Sequence, residues 1–340
     1  MKDKIINGLE LTGFTWFIPL VKLLTGESPK QQLMALAKMV GIPLLAMIIF
    51  LGLWQVGAAK VVTSLGQVPG PVEVWKQASI LIDEHYIERE KEAKFHQRQD
   101  ERNAKKLAKD PNAEITDRPY TGRQTYLDQI LTSLSTVFVG FLIASIIAIP
   151  IGIVSGLSNT LYSALNPLIQ IFKPISPLAW LPIVTMVVSA VYVSDDPMFS
   201  KSFVTSAITV TLCSLWPTLI NTAVGVSSID RDLINVGRVL QLNYFTTVMK
   251  IVIPSSIPMI FTGLRISLGI GWMVLIAAEM LAQNPGLGKF VWDQFQNGSS
   301  SSLGRIMVAV LTIGILGFLL DRVMLVMQKF FSYDKNAVIR

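Results

Sequence analysis

The first candidates for chemistry in this sequence are the charged side chains of Arg265, Glu279 and Asp321, which lie inside long apolar stretches. Arg265 and Glu279 fall within residues 257–281, and Asp321 falls within residues 303–327. A charged group at membrane depth is costly, and it usually faces a partner or a water-filled cavity. Arg265 and Asp321 lie at matching depths, since each is about 12 Å along its helix from the same side of the membrane.

The matching depths favour an ion pair between Arg265 and Asp321 that seals the packing of two helices. In the alternative interpretation, the Arg265 guanidinium lines the path of an anion, because its planar set of donors suits an oxyanion. Asp321 also has Arg322 beside it in the sequence, although adjacent residues of a helix do not face each other.

Glu279 lies near the other end of the same apolar stretch, on nearly the same helix face as Arg265. We expect its carboxylate to cap a helix or to pair with a cation of the following loop, such as Lys289. A role as an outer gate is the alternative.

Enzyme chemistry has few candidates in this sequence. It lacks the GxxxxGK[ST] phosphate loop, so we expect no ATP hydrolysis by this chain. The two histidines, His85 and His96, lie in a charged segment, and they do not assemble into a catalytic triad or a zinc site. The single cysteine, Cys213, excludes an internal disulfide. We therefore expect no catalytic residue, no metal and no bound cofactor.

The composition is that of a membrane protein. Hydrophobic residues make up 51% of the chain and charged residues 15%, whereas about a quarter of an average soluble domain is charged. The net charge of +6 fits basic ends in the cytoplasm, and no basic face predicts a nucleic-acid partner. The first apolar run follows Glu10 and lacks a basic start, so we expect no cleavable signal peptide.

The apolar stretches predict an all-α integral membrane protein with about six transmembrane helices, which need about 20 residues each. The predicted spans are residues 40–58, 129–155, 178–193, 203–226, 257–281 and 303–327. The predicted divisions of the chain are an N-terminal cytoplasmic segment (1–35), a first transmembrane helix (36–58), a long charged external loop (59–127), a core of five transmembrane helices (128–330) and a cytoplasmic tail (331–340).

Two segments outside the spans have distinct patterns. In residues 1–35, Phe14 and Trp16 predict an interfacial helix, with a disordered tail as the alternative. Before the third span, NPLIQIFKPISPLAWLP contains Lys173 and several prolines, which predict an interfacial helix and a bend. Broken helices of this kind line a pathway or merely accommodate helix packing.

The orientation follows from the basic residues at the two ends of the chain. They place both ends in the cytoplasm, which requires an even number of spans. Six spans then place residues 228–254 inside and residues 59–127 outside. If the first span were re-entrant, the charged loop would instead be cytoplasmic.

Residues 230–254 contain a short amphipathic helix between two apolar spans. Val236, Val239, Leu240 and Leu242 form its apolar side. The helix is too short and too polar to cross a bilayer, so it lies on the surface or docks into a partner. A simple connecting loop is the alternative.

This stretch resembles the cytoplasmic coupling loop of ABC importer permeases, whose pattern is Glu-Ala-Ala, three residues, Gly, nine residues, Ile, one residue and Leu-Pro. Gln241 occupies the Gly place and Asn235 the Glu place, and the matched positions are Asn235, Val236, Gly237, Gln241, Ile251, Ile253 and Pro254. From about residue 125 onward, segments such as SPLAWLPIVTMVV and EMLAQNPGLGKFVWD are similar to the nitrate, sulfonate and taurine branch, and most of all to nitrate/nitrite permeases.

The resemblance implies a type I ABC importer permease fold in the bacterial inner membrane, working as a homodimer with the path at or near the dimer interface. Separate ATPase subunits hold ATP and Mg and grip the coupling helix, and an extracytoplasmic solute-binding protein or domain delivers the substrate. It implies that Asn235, Val236, Gly237, Arg238, Gln241 and Pro254 couple the ATPase to the permease, with Asn235 replacing a charge by a hydrogen bond.

The implied substrate is a small anion, with nitrate or nitrite first and bicarbonate, cyanate or a sulfonate such as taurine as alternatives. A secondary anion transporter is an alternative of a different class, but it needs coupling-ion sites and commonly has inverted repeats, and neither is evident. The charged segment around residues 83–118 predicts a helix, which is either a solvated face or a docking surface for the solute-binding protein or the neighbouring subunit.

Overall fold

The structure is a computed structural model, and α-helix dominates it. It describes residues 17–26, 28–63, 66–110, 115, 117–193, 198–299 and 301–331, together with residues 6 and 9. The aromatic residues Phe14 and Trp16 of the predicted interfacial segment lie outside the described residues, as does the tail after residue 331.

The described residues form helices in chain order around one small hairpin. The helices are α1 (Ile18–Leu24), α2 (Pro29–Lys60), α3 (Pro71–Lys109), α4 (Tyr126–Leu157), α5 (Asn159–Phe172), α6 (Pro177–Val191), α7 (Lys201–Ser227), α8 (Arg231–Val239), α9 (Tyr244–Ala282), α10 (Leu287–Asn297) and α11 (Ser302–Phe331). The hairpin pairs β1 (Val62–Thr63) with β2 (Gly66–Gln67) in antiparallel register.

Five of these helices, α2, α4, α7, α9 and α11, are long and apolar enough to cross a membrane. The pair α5 and α6, bent by 98°, brings the number to six when it is counted as one broken span. The prediction of an all-α membrane protein with about six spans is therefore confirmed. The third span differs in detail, because α6 alone has 15 residues and is shorter than the bilayer requires.

Two spans begin earlier than the sequence indicates. Helix α2 starts at Pro29, inside the segment 1–35, and α9 starts at Tyr244 rather than at residue 257. In both helices a π-helical segment directly precedes an Ile-Pro pair, at Pro43 and at Pro254. A local π-helical shift of the hydrogen-bond ladder accommodates a residue without an N–H, so these prolines do not end the helix.

The charged loop after the first span is a docked helix. Helix α3 has 39 residues and packs against α11 and α4. Arg305 of α11 pairs with Glu84, and Arg89 donates to Asp128 Oδ2 at 3.0 Å. The Tyr120 hydroxyl donates to Glu88 at 2.7 Å, and this hydrogen bond lowers the pKa of Glu88. The proximal half of α3 is therefore fixed to the membrane domain.

Helix α7 is the centre of the membrane domain and packs against both α4 and α9. On the α4 side, the contact is made at Gly140, Gly152 and Gly156. A Cβ atom at Gly140 would lie 2.7 Å from the Ala207 carbonyl, and one at Gly152 would lie 2.9 Å from the Leu219 carbonyl. These glycines let two backbones approach closely, as small residues do in membrane helix pairs.

On the α9 side, a serine bridges backbone groups of α7 beside Pro217. The Ser267 hydroxyl accepts from the Thr218 N–H at 3.1 Å and donates to the Ser214 carbonyl. All three residues are fully buried, where an unpaired polar group is costly. Helix α9 therefore supplies hydrogen bonds at the point where proline interrupts α7.

We expect Gly152→Ala to destabilise the protein by about 1–3 kcal/mol, because the added methyl meets Thr222 Cβ at 2.6 Å and has no room. Gly314→Ala in α11 is the control, since its Cβ meets no atom within 4 Å. Thermal unfolding in detergent measures both. Equal unfolding temperatures for the two variants would contradict the close approach of α4 and α7.

Candidate functional site

The predicted coupling residues lie on and after α8, between the two central membrane helices. The Asp230 side chain caps the helix by accepting from the Asp232 N–H at 2.9 Å. Six large apolar side chains of this segment are exposed, and the most exposed is Val239, at 80%. The other five are Leu233, Val236, Leu240, Tyr244 and Phe245. Such a surface is typical of a partner interface.

The end of α8 explains why the coupling pattern has a glycine at the place that Gln241 occupies in this chain. Gln241 has φ = 50°, and it follows the helix in the left-handed conformation. The Gln241 N–H donates to the Arg238 carbonyl and the Leu242 N–H to the Gly237 carbonyl, both at 3.0 Å. This is a Schellman motif, in which glycine is favoured. Gln241 keeps this geometry at a conformational cost of about 1–2 kcal/mol.

The remaining coupling residues divide between the surface and the interior. Asn235, Val236 and Arg238 are exposed, whereas Gly237 is buried. A Cβ at Gly237 would lie 3.0 Å from Ile251 Cδ1, so Gly237 faces α9 of its own chain rather than a partner. Pro254 lies inside α9, in the first turn after its π-helical segment.

Arg265 and Asp321 meet across α9 and α11. Arg265 Nε donates to Asp321 Oδ1 at 3.0 Å and Nη2 to Oδ2 at 3.2 Å, which is the bidentate arrangement that suits guanidinium and carboxylate. Arg322 instead places its guanidinium 4.9 Å from the ring centre of Phe318. The Arg265 charge is thus compensated within the chain.

Glu279 is fully buried and caps α10 from a neighbouring helix. Its carboxylate accepts from Ser133 Oγ at 2.8 and 2.9 Å and from the Gly288 N–H at 2.9 Å. The interpretation that it pairs with Lys289 is wrong, because Lys289 pairs with Asp293 at 2.6 Å. The backbone N–H at the start of α10, with the positive end of the helix dipole, replaces the expected cation.

Ser133 is the partner that the sequence did not reveal. It lies on α4, is fully buried, and accepts from the Leu287 N–H at 2.9 Å while it donates to Glu279. A serine in an apolar helix gives no local signal of such a role. A Cβ at Gly286 would approach the Glu279 carboxylate to 2.3 Å, so the glycines of NPGLG allow this contact.

The structure therefore does not assemble the candidate residues into one centre. Pro254, Arg265 and Glu279 lie at successive depths along α9, and Arg265 and Glu279 have different partners. No group of three or more His, Cys, Asp or Glu among the described residues forms a metal site. Instead, α9 has an exposed apolar helix, α8, at one end and the buried carboxylate of Glu279, which caps α10, at the other.

Comparisons with known proteins agree with the resemblance seen in the sequence. Residues 148–333 match the family described as binding-protein-dependent transport system inner membrane component. The nitrate import permease protein NrtB of Synechococcus elongatus is 40% identical over 194 residues, which are 57% of this chain and 66% of that protein. The bicarbonate transport system permease protein CmpB of the same organism is 40% identical over 202 residues, 59% of this chain and 68% of that protein.

The aligned part spans a little under two thirds of the length of this nitrate permease. Among solved structures, an inward-facing conformation of the MetNI methionine ABC transporter has a TM-score of 0.52 at 15% sequence identity, covering 61% of this chain and 96% of that chain. At this identity the likeness concerns the fold, and it confirms the expected type I ABC importer permease fold.

We expect Glu279→Ala to destabilise the protein by about 1–3 kcal/mol, because it leaves the buried Gly288 N–H and Ser133 hydroxyl without their acceptor. Glu90→Ala is the matched control, since Glu90 and its partner Lys94 are both 64% exposed and such pairs contribute little. Thermal unfolding in detergent distinguishes them. An unfolding temperature unchanged in Glu279→Ala would exclude the cap.

Arg265→Leu should also lower stability, by about 1–3 kcal/mol, because it leaves the Asp321 carboxylate unpaired at membrane depth. We expect the double variant Arg265→Leu/Asp321→Leu to recover most of this loss. Arg322→Leu is the control, and it removes only a cation–π contact of about 0.5–1 kcal/mol. Additive losses in the double variant would contradict the pair.

Proposed function

Because the chain belongs to the family of binding-protein-dependent transport system inner membrane components, we propose that it is the permease subunit of an ATP-driven importer for a small anion. Nitrate or nitrite is the preferred candidate substrate, because the chain is 40% identical to a nitrate import permease. One observation supports a permease driven by a separate ATPase: α8 lies between two membrane helices and has an exposed apolar face on which a partner can dock.

The ATPase docks on α8. Val236, Val239 and Leu240 offer it an apolar face, and Asn235 and Arg238 lie exposed beside them. The Schellman motif at Gln241 and the contact of Gly237 with Ile251 fix α8 against the start of α9. A push on α8 therefore moves α9 as well, rather than only bending the connecting turn.

The orientation follows from this docking. With α8 in the cytoplasm and six spans, both ends of the chain are cytoplasmic, and α3 lies outside, where a solute-binding protein delivers the substrate. Two copies of the chain enclose the path. The apolar side chains of α2 that its own chain leaves exposed, such as Ile48 and Leu53, face lipid or the second copy.

Bicarbonate is the second candidate, because a bicarbonate permease is as similar, at 40% identity. Cyanate, sulfonates and taurine follow from the resemblance alone. A secondary anion transporter is disfavoured by Glu279, since this buried acid is engaged by Ser133 and by the backbone of α10. It is therefore not free to carry a coupling proton.

We expect ATP-dependent uptake of isotopically labelled nitrate by liposomes that contain the chain, its ATPase and its solute-binding protein. Val239→Asp should abolish both uptake and copurification of the ATPase, because it places a charge in the apolar docking face. Val72→Asp is the matched control, since Val72 is similarly exposed at the start of α3. Nitrate uptake without ATP would contradict the assignment as an ATP-driven importer. ATP-dependent uptake of bicarbonate instead of nitrate would identify bicarbonate as the substrate.

A further inference from the structure

A cavity of about 510 Å³ lies at the 98° break between α5 and α6. The break itself forms one wall, with Lys173 and Ser176, and the opposite wall comes from α7 and α9, with Cys213, Trp216 and Met273. A water molecule occupies about 30 Å³ in the liquid. The cavity therefore accommodates a small ion together with part of its hydration shell.

The cavity lies near the middle of the membrane and is open on the side of the break, where Lys173 and Ser176 are exposed. Cys213 is near the middle of the 27 residues of α7, and a helix of that length spans about 40 Å. A break in a membrane helix at this depth is tolerated where the irregular backbone is buried in protein or lines a water-filled cavity. The prolines at positions 174 and 177 impose the break, because neither has an N–H to continue the helix.

Lys173 brings a positive charge to this depth. It is the charged residue of the cavity wall, and most of its neighbours there are apolar. Among the residues that the structure describes, its ammonium forms no ion pair. Arg265, in contrast, is held by Asp321. An uncompensated charge at membrane depth is costly and is expected to serve function.

One further feature of the wall suits a negatively charged ligand. Helix α6 begins at the break, where Ser176 caps it by accepting from the Leu178 N–H at 3.3 Å. The N-terminal end of a helix carries positive partial charge, and broken membrane helices use such ends to hold anions.

We propose that this cavity is an intramembrane binding site for the transported anion, with the Lys173 ammonium as its counter-charge. The ligand class is a small monovalent oxyanion, such as nitrate or bicarbonate. The inference rests on the proposed function, which it deepens by naming the site that the anion occupies between the two sides of the membrane.

Transport by the complete complex tests the role of Lys173. Lys173→Met should lower the initial rate of nitrate uptake by about tenfold or more, because it removes the charge that attracts the anion and keeps the length of the side chain. Lys173→Arg should retain a larger share of the rate. Lys201→Met is the matched control, because Lys201 is exposed at the start of α7 and is not part of the cavity wall.

Cys213 provides a second readout that does not require transport, since it is the single cysteine of the chain and lines the same cavity. Its rates of modification by a negatively charged and a positively charged methanethiosulfonate reagent are compared in the purified complex, by the mass of this chain. In Lys173→Met, the ratio of the two rates should fall by about fivefold or more in favour of the cationic reagent. Nitrate should slow the modification of the unmutated chain.

The outcomes separate this inference from the proposed function. If the unmutated complex imports nitrate and Lys173→Met imports it within about twofold of that rate, the intramembrane site is overturned and the importer stands. An unchanged ratio of Cys213 modification rates in Lys173→Met also overturns the site. If the unmutated complex imports no anion at all, the proposed function fails, and nitrate protection of Cys213 then decides whether the cavity binds the anion.

Discussion

Close approach of α4, α7 and α9 is the constraint on which the rest of the molecule depends. In a bilayer the lipid chains are as apolar as leucine, so helices associate through packing and hydrogen bonds rather than through the hydrophobic effect. Glycines on α4 bring its backbone against α7, and Ser267 of α9 bonds backbone groups of α7 beside Pro217. The three helices pack as one unit, because each contact is made either by a glycine or by a serine that forms two hydrogen bonds.

Within this unit, α9 is long enough to connect the two sides of the membrane. Its N-terminal end meets α8 where Ile251 approaches Gly237, and its C-terminal end holds α10 through Glu279 and Gly288. The helix is continuous between these points because the π-helical segment before Pro254 keeps the chain helical. We therefore expect a displacement of α8 by the proposed partner to be transmitted along α9, past Arg265 and the cavity between α5 and α6, to the opposite side of the membrane.

The sequence predicted those features that depend on neighbouring residue types or on the depth of a charged residue in the membrane. Prolines around Lys173 predicted the bend, and the depths of Arg265 and Asp321 predicted which charges meet. The features it did not predict depend on contacts distant in the sequence. Nothing near Ser133 indicates that it receives Glu279, and the docking of α3 required Arg305. The early start of α9 was missed because a π-helical shift before a proline leaves no distinct pattern of residue types. The left-handed Gln241, in contrast, explains why the coupling pattern has a glycine at that place.

The contrast between Arg265 and Lys173 concerns how a path can hold an anion and still release it. An anion that engaged Arg265 would have to compete with Asp321, whose bidentate contact is already complete. Lys173 has no such competitor among the described residues, and its ammonium is a compact charge on a flexible stem that can follow a moving ion. Conduction requires binding that is favourable enough for entry and weak enough for exit. A single lysine in a roomy cavity meets that requirement better than a preformed guanidinium fork, so we expect a structural role for Arg265 and transient anion binding at Lys173.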